Sequence, residues 1–181
     1  HRSRTGANAK RGSDKVLKAL DSVEVREVLR RLRSAGYKSL VISFLHSYLY
    51  PDHENRVAQI AQEMGFETVI KASEVSPVIK FLQRSSSASS EAYLYPIVND
   101  YVTAFQAGFS VLPQRVEFMG SDGGLRQADR FRGNEALLSG PAGGVVGIAR
   151  TCFDAAEGTP VLGFDMGGTS TDVCRYDGKY D

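Results

Sequence analysis

Near its C-terminus the chain reads Pro160-Val161-Leu162-Gly163-Phe164-Asp165-Met166-Gly167-Gly168-Thr169-Ser170-Thr171-Asp172-Val173. The apolar residues before Asp165 predict a strand, and the Gly-Gly pair followed by a second short apolar stretch predicts a β-hairpin. An aspartate stands at each shoulder of this hairpin, and hydroxyl side chains stand at its tip. The segment therefore predicts a tight polar turn between two strands that each carry a carboxylate.

The tip of the hairpin has the composition of a phosphate-binding loop. Glycine lets the backbone approach a ligand closely and adopt positive φ, and successive N–H groups in such a turn form a concave anion site. Asp165 and Asp172 can hold a hydrated Mg²⁺ that bridges phosphate oxygens. A plain Gly-Gly hairpin with polar turn residues is the alternative. We predict phosphate contacts from the residues of the tip, which are Gly167, Gly168, Thr169, Ser170 and Thr171.

The composition of the whole chain is that of an ordinary globular protein. Its 181 residues are 42% hydrophobic and 24% charged, with a formal net charge of +1, which gives no electrostatic case for nucleic acid. Residues 1–14 are basic and lack apolar periodicity, which predicts a disordered tail rather than a nucleic-acid arm. Neither a membrane span nor a signal peptide is expected. Cys152 and Cys174 have no metal-ligand spacing, so we expect two buried small apolar residues and a reducing compartment.

The first half of the chain has the alternating pattern of an α/β layer. An apolar stripe predicts a helix over 22–35 with Ser22 as its capping residue. A buried strand over 39–45, a second helix over 51–64 and a short strand over 68–70 follow. Helix, strand, helix and strand joined by short links predict parallel strand pairing.

The middle of the chain contains a serine-rich stretch at 85–90 that resembles a linker. Apolar residues at helical spacing follow over 92–105, with Pro96 kinking the helix or setting its start, and Gly108 is its predicted end. We favour a helix that begins inside the serine-rich stretch over a flexible linker. In either case we expect a domain boundary near 84–91.

A second Gly-rich segment precedes the hairpin. After a predicted strand over 116–119 and a polar turn that contains Asp122, the chain reads Ser139-Gly140-Pro141-Ala142-Gly143-Gly144 and continues as an apolar helix over 145–149. A Gly-rich turn that opens a helix offers free N–H groups and a positive dipole end to an anion. The alternative is a tight loop whose glycines serve packing. Asp122 is a weaker acidic candidate.

His46 is a further candidate ligand-binding residue. It follows the end of the first predicted strand, where ligands of α/β proteins commonly bind. A histidine that only makes local hydrogen bonds is the alternative.

Together these segments resemble the hydantoinase/oxoprolinase family, in particular its eukaryotic-type ATP-dependent 5-oxoprolinases. The residues that carry the resemblance are 164–173 and 138–147, supported by 119–125 and 44–54. The match covers about residues 15–181, and the two Gly-rich motifs are its specific part.

The resemblance implies an α/β fold that is part of an actin-like ATPase, with two ribonuclease-H-like halves around a nucleotide cleft, incomplete at both ends. Residues 1–14 would be the basic tail, 15–84 the end of the N-terminal α/β lobe, and 85–181 the start of the second lobe with its phosphate hairpin. The family carries an earlier Asp-Gly-Gly-Thr-type hairpin, and this chain has none before residue 100. We therefore expect the chain alone to be inactive and poorly soluble.

The activity that the resemblance implies is the opening of 5-oxo-L-proline to L-glutamate, coupled to hydrolysis of ATP. The implied cofactors are ATP and Mg²⁺, often together with a monovalent cation such as K⁺. The implied setting is cytoplasmic glutathione metabolism. The small-molecule substrate and ATP would be its partners, without nucleic acid or membrane, and the full-length protein would form a homo-oligomer. A segment of an ATP-dependent hydantoinase, a non-enzymatic truncated remnant, and a sugar- or acetate-kinase-like phosphotransferase are the alternatives.

The resemblance also implies roles for individual residues. Asp165 and Asp172 would be the catalytic and metal-binding carboxylates, which hold hydrated Mg²⁺ or orient water. The tip of the hairpin would wrap the phosphates. The residues expected to line the same cleft are Ser139, Gly140, Gly143 and Gly144.

Overall fold

The computed structural model describes residues 16–180 and has an α/β architecture, as predicted. Its helices are α1 (Ser22–Ser34), α2 (Asp52–Glu63), α3 (Ala72–Val75), α4 (Phe81–Ala107), α5 (Gly133–Ala136) and α6 (Ser139–Thr151). Its strands are β1 (Ser39–Ile42), β2 (Thr68–Lys71), β3 (Glu117–Met119), β4 (Leu125–Gln127), β5 (Val161–Met166) and β6 (Thr171–Tyr176). The described strands form three two-stranded sheets. The tail predicted at 1–14 lies outside the described residues.

The first layer confirms the predicted parallel pairing. β1 and β2 run in the same direction, with Ser39 opposite Thr68 at one end of the pair. Helices α1 and α2 pack apolar side chains against this strand pair and form a core cluster with it. The buried residues of this cluster are Leu29, Ile60, Ala61 and Phe66.

The ends of α1 are set by Asp21 and Gly36. The Asp21 carboxylate accepts the backbone N–H groups of Val23 at 2.8 Å and Glu24 at 3.2 Å. Asp21 is therefore the capping residue, and the prediction of Ser22 is wrong by one position. Gly36 adopts a φ of 89° directly after the helix, as the predicted stop requires.

β1 ends at Ile42, earlier than the predicted end at Leu45. The N–H of Phe44 donates to the Glu54 carboxylate at 2.9 Å, and the carbonyl of Phe44 accepts from Arg84 at 2.8 Å. Charged side chains thus bind the backbone groups that a neighbouring strand would otherwise pair, and the ladder stops.

Helix α4 passes through the serine-rich stretch without a break. It begins at Phe81, so the predicted start inside that stretch is late by several residues, and the linker alternative is wrong. Arg84, Ala88 and Glu91 are all fully buried and fall on one face of the helix. The burial of this face outweighs the weak helix propensity of the serines between the three residues.

The second half of α4 packs aromatic side chains against β3. Pro96 lies inside the helix rather than at its start, and Gly108 is its C-cap, as predicted. The rings of Tyr101 and Phe105 lie 6.1 and 5.4 Å from the ring of Phe118 on β3. The position predicted for a domain boundary falls within this continuous helix, and the boundary itself stays a prediction.

Helix α6 begins at Ser139, so the second Gly-rich segment is itself helical. The predicted arrangement of a Gly-rich loop followed by a helix is therefore wrong. The Ser139 hydroxyl donates to the carbonyl of Met119 at the end of β3, at 2.6 Å. This bond fixes the start of α6 on the preceding sheet.

Strands β5 and β6 form the predicted antiparallel hairpin. One of its faces is apolar and exposed: Leu162 is 76%, Phe164 69%, Met166 73% and Val173 66% accessible. An uncovered apolar face of this kind favours association. The predicted poor solubility stays a prediction.

Two expectations about the whole chain can be compared with the described residues. Cys152 is exposed and Cys174 is partly accessible, so the prediction of two buried cysteines is wrong. Among the described helices, none combines the length and apolar character that crossing a membrane requires.

The buried Glu54 generates a prediction about stability. Burial raises its pKa, but the adjacent Ser47 hydroxyl and hydrogen bonds from the side chain of Ser73 and from the N–H groups of Ser73 and Phe44 outweigh burial and hold the pKa below its usual value. Glu54→Gln should lower the free energy of unfolding at pH 7 by about 2 kcal/mol, because an amide accepts fewer of these bonds. Urea unfolding measures the difference.

The ionised form of Glu54 stabilises the fold, so its contribution is complete above the unfolded pKa and is lost as pH falls through the lower folded pKa. The gap between wild type and Glu54→Gln should therefore shrink below about pH 4. Glu67→Gln, in an exposed ion pair with Lys38, is the matched control and should change stability by less than about 0.5 kcal/mol. Equal effects of the two substitutions at pH 7 would contradict the assignment.

Candidate functional site

Asp165 and Asp172 lie directly opposite each other in the β5–β6 hairpin. Directly opposed side chains project to the same face of a sheet, with Cβ atoms about 4.5–5.5 Å apart. Both aspartates are exposed, so both carboxylates remain accessible to solvent and solutes. Like charges in this position destabilise a sheet. The pair therefore costs stability unless a cation lies between the two carboxylates.

The face of the hairpin that carries this pair is turned toward α6. A cavity of about 120 Å³ lies between the two elements, and Asp165 and Asp172 line it. The lining residues from α6 share one face of the helix, at the spacing i, i+3, i+4 and i+7; they are Pro141, Gly144, Val145 and Ile148. The structure thus brings the predicted carboxylates and one predicted glycine to the same cavity.

Two glycines permit this close approach of helix and hairpin. A Cβ atom at Gly163 would lie 2.1 Å from Cδ1 of Ile148 and 2.6 Å from Sγ of Cys174. A Cβ atom at Gly144 would lie 3.3 Å from Oδ2 of Asp165. Hence no side chain fits at Gly163 in this packing, and the glycine at 144 keeps the helix side of the Asp165 carboxylate open.

The tip of the hairpin is open to solvent but differs in detail from the expectation. The N–H of Gly167 donates to the carbonyl of Ser170 at 3.0 Å, which closes the turn. Neither Gly167 nor Gly168 has positive φ, so the expected left-handed backbone is wrong here. A Cβ atom at Gly168 would meet nothing within 4 Å, and Thr169 and Thr171 are exposed. The tip has room for phosphate oxygens, and phosphate contact stays a prediction.

The other candidates from the Gly-rich segment do not line the cavity beside the carboxylates. The hydroxyl of Ser139 is bound to the carbonyl of Met119, so its observed role is structural. The Cβ position of Gly140 is in open space, and that of Gly143 is 3.9 Å from Cγ of Met119. Ligand binding by Ser139, Gly140 and Gly143 stays a prediction.

Asp122 is paired within its own turn. Its Oδ1 accepts the N–H of Gly124 at 2.9 Å and its Oδ2 accepts from Arg126 at 2.7 Å. The N–H of Gly124 and then the guanidinium of Arg126 hold the pKa of Asp122 below its usual value. Asp122 lines a different cavity, of about 420 Å³, together with Arg150. The structure does not bring it together with the hairpin carboxylates.

His46 lies in the turn after β1 and lines a third cavity together with Tyr50 and His53. This cavity shares no lining residue with the cavity of the hairpin. The placement after a parallel strand is as predicted. A direct part for His46 beside the hairpin carboxylates is not supported by this geometry.

The carboxylate pair fits a hydrated Mg²⁺ that arrives with phosphates. Within residues 16–180, no cluster of three or more His, Cys, Asp or Glu side chains could hold a metal ion. Mg²⁺ does not need such a cluster, because it keeps several waters and binds one or two carboxylates together with substrate phosphates. Asp165 and Asp172 supply that number of carboxylates.

Sequence reasoning missed the apolar wall of this cavity. Val145 and Ile148 line it from α6, and Cys174 lines it from β6. The signal that could have found the helix residues is their i+1 and i+4 spacing from Gly144, which applies only if the Gly-rich segment is taken as helical. Treating that segment as a loop concealed the pattern.

The chain matches two family profiles. The profile described as "Hydantoinase/oxoprolinase" matches residues 84–181, and the profile described as "Hydantoinase/oxoprolinase N-terminal region" matches residues 4–65. The second match begins before residue 15, so the expectation that the resemblance starts there is wrong.

Curated relatives are similar over most of this chain. The "5-oxoprolinase PfmaA" of Pestalotiopsis fici is 59% identical over 167 residues, which cover 92% of this chain and 13% of that protein. The "5-oxoprolinase" of Saccharomyces cerevisiae is 49% identical over 169 residues, with the same two shares. The chain thus spans about 13% of the length of these relatives.

Two solved structures have a similar fold. The nucleotide-free structure of acetone carboxylase gives a TM-score of 0.72 at 26% identity and covers 83% of this chain and 22% of that chain. The ATP-dependent caprolactamase of Pseudomonas jessenii gives a TM-score of 0.69 at 28% identity, covering 89% of this chain and 24% of that chain. The α/β arrangement therefore recurs in both enzymes. The actin-like, ribonuclease-H-like assignment stays a prediction.

The contact at Gly163 can be tested by adding one methyl group. Gly163→Ala should lower the free energy of unfolding by about 1–3 kcal/mol, because the methyl group would overlap Ile148 and Cys174 and force them to move. Urea unfolding followed by circular dichroism gives the change.

Gly168→Ala is the matched control, since its Cβ position is open and its φ is not positive. It should change the free energy of unfolding by less than about 0.5 kcal/mol. If the two alanine variants are equally stable, α6 does not pack on the hairpin as described.

Proposed function

Because the chain belongs to the hydantoinase/oxoprolinase family, we propose that it forms one wall of the nucleotide site of an ATP-dependent 5-oxoprolinase. The reaction is 5-oxo-L-proline, ATP and water giving L-glutamate, ADP and phosphate. Support for this substrate comes from the relatives named 5-oxoprolinase, at 59% and 49% identity. The similarity to an ATP-dependent caprolactamase, whose name also denotes a lactam, supports the wider class of cyclic amides.

The observation that carries the proposal is the opposed pair of Asp165 and Asp172 on the face of the hairpin that meets α6. A phosphoryl-transfer site mainly positions groups and neutralises negative charge, and it asks little covalent chemistry of the protein. Two accessible carboxylates, with no side chain at Gly144 to crowd Asp165, suit that task. The open tip at Gly168 offers the adjoining space for phosphate oxygens.

In this proposal the residues of the chain bind and orient rather than react. Asp165 and Asp172 hold hydrated Mg²⁺ or orient the attacking water, and residues 167–171 contact the phosphates. Mg²⁺ would supply positive charge to the phosphate oxygens. Amide resonance makes a lactam a poor electrophile. Phosphorylation of its carbonyl oxygen makes the carbonyl carbon more electrophilic, so that water can attack it. The proposal includes a requirement for K⁺, which is supported by the family resemblance alone.

We also infer the setting of the whole protein from its family. The inferred fold is actin-like, with residues 15–84 at the end of one lobe and 85–181 at the start of the next. We further propose that the whole protein is a cytoplasmic homo-oligomer in glutathione metabolism. It acts on small molecules and binds neither nucleic acid nor membrane. We expect the isolated chain to form no glutamate, because a cleft enzyme needs both walls to position phosphate and attacking group.

A segment exchange tests the proposal. Residues 15–181 replace the corresponding segment of the Saccharomyces cerevisiae 5-oxoprolinase, and glutamate formation from 5-oxo-L-proline is measured with ATP and Mg²⁺. The chimera should be active, and Asp165→Asn or Asp172→Asn in it should lower kcat by about 10²–10³-fold, because a preorganised charge partner of the phosphates is lost.

Asp129→Asn is the matched control in the same chimera. Asp129 is exposed and lines neither the hairpin cavity nor the cavity of Asp122, so kcat should stay within about twofold of the parent chimera. A chimera that keeps its activity after both hairpin substitutions would refute the proposed role of the carboxylates. A folded chimera that hydrolyses ATP only with another cyclic amide would refute the proposed substrate.

A further inference from the structure

The turn after β1 is held by two buried charged side chains that the hairpin site does not use. The carboxylate of Glu54, fully buried, accepts the N–H of Phe44 at 2.9 Å. The guanidinium of Arg84, also fully buried, donates to the carbonyls of Phe44 and Leu45 at 2.8 and 3.0 Å. Both peptide groups of Phe44 are therefore fixed by side chains from distant parts of the sequence.

Arg84 makes further contacts besides those with the turn. Its guanidinium also donates to the carbonyl of Val78 and lies over the rings of Tyr48 and Phe81, at 5.5 and 5.7 Å from their centroids. Its Nε has no hydrogen-bond partner within the described residues. Burying a charged group costs several kcal/mol unless it is fully bonded. Such a cost at an ordinary connecting turn indicates that the turn must keep one conformation.

The turn that is fixed in this way forms the wall of a cavity of about 530 Å³. This volume is in the range of small-molecule sites. The wall contains apolar side chains that are accessible, with Leu45 at 61% and Leu49 at 57%. The cavity follows the carboxyl end of β1, the position at which ligands of α/β proteins bind. A preorganised apolar cavity at this place favours binding of a ligand with a hydrocarbon body.

The polar groups of the cavity favour an anion. Lys18, His46 and His53 line it, and none of its lining residues among the described ones is Asp or Glu. His53 belongs to the first turn of α2, and within residues 16–180 no side chain caps that helix end. Because Asp52 and Glu54 also lie in this first turn, their carboxylates offset the helix dipole, and Lys18 supplies the positive charge of the cavity.

We propose that this cavity, lined by Lys18, Phe44, Leu45, His46, Leu49 and His53, binds a small organic carboxylate with an apolar body. The carboxylate is held by Lys18 and the two histidines, and the body lies against the leucine side chains. The site shares no residue with the hairpin cavity and does not depend on the function proposed for it.

Benzoate and benzamide make a matched pair of probes, because they have nearly the same shape and only benzoate is charged. Each is titrated into the ¹⁵N-labelled 181-residue chain at pH 7. Benzoate should cause saturable shifts in the backbone amides of residues 16–18 and of the non-proline residues of 44–53. Benzamide should bind about tenfold more weakly, because it lacks the charge-assisted bonds.

Lys18→Met should weaken benzoate binding about tenfold, whereas Lys38→Met should leave it unchanged, since Lys38 is exposed and paired with Glu67 outside this cavity. The dispersion of the amide signals verifies the fold of each variant. The comparison of benzoate with benzamide uses only the wild-type chain, so it does not depend on the folding of a variant. Equal binding of benzoate and benzamide would overturn the proposal. So would saturable shifts that are confined to residues outside 16–18 and 44–53, unchanged binding by Lys18→Met, or no saturation with benzoate.

Discussion

The close packing of α6 against the β5–β6 hairpin is the constraint on which the candidate site depends. A two-stranded hairpin is marginally stable by itself, and one face of this hairpin is exposed. Among the described residues its main stabilising contacts are therefore those with α6, together with the packing of Phe153 on Tyr176 at the end of β6. Gly163 allows Ile148 and Cys174 to meet over the hairpin, and Gly144 leaves the Asp165 carboxylate uncovered. The same packing that stabilises the hairpin forms the cavity for its carboxylates.

Hydrogen bonding separates the residues with a structural role from those available to a ligand. Asp122 has partners for both carboxylate oxygens, and Ser139 donates its hydroxyl to Met119. Asp165 and Asp172 are instead opposed like charges, an arrangement that destabilises a sheet in the absence of a cation. The hairpin pair is therefore the stronger candidate site, because Asp122 already has partners for both of its carboxylate oxygens within its own turn.

The features that the sequence predicts well are those with local causes. The Gly-Gly hairpin, the parallel pairing of β1 with β2 and the stops at Gly36 and Gly108 follow from turn chemistry and apolar periodicity. Features with long-range causes cannot be predicted from local sequence patterns. Helix α4 extends through serines because Arg84 and Glu91 are bound to distant backbone groups. The helical state of the Gly-rich segment likewise depends on packing that glycine propensity opposes.

The candidate site was predictable in its carboxylates and not in its walls. Asp165 and Asp172 stand on either side of a recognisable turn, so their opposition follows from the hairpin register. Which glycines face them depends on the rotation of α6 about its own axis, and no local signal in the sequence reports that rotation. Only Gly144 of the four residues predicted from that segment lines the cavity.

Binding of Mn²⁺–ATP to the segment-exchange chimera reports whether the hairpin carboxylates hold a nucleotide-bound metal. The enhancement of water proton relaxation is measured as Mn²⁺–ATP is titrated with the chimera and with its Asp165→Asn, Asp172→Asn double variant. We expect the parent chimera to bind Mn²⁺–ATP and the folded double variant to bind it at least about tenfold more weakly, because both carboxylate ligands are lost. Equal binding by the two proteins would refute a role for the hairpin carboxylates at the metal.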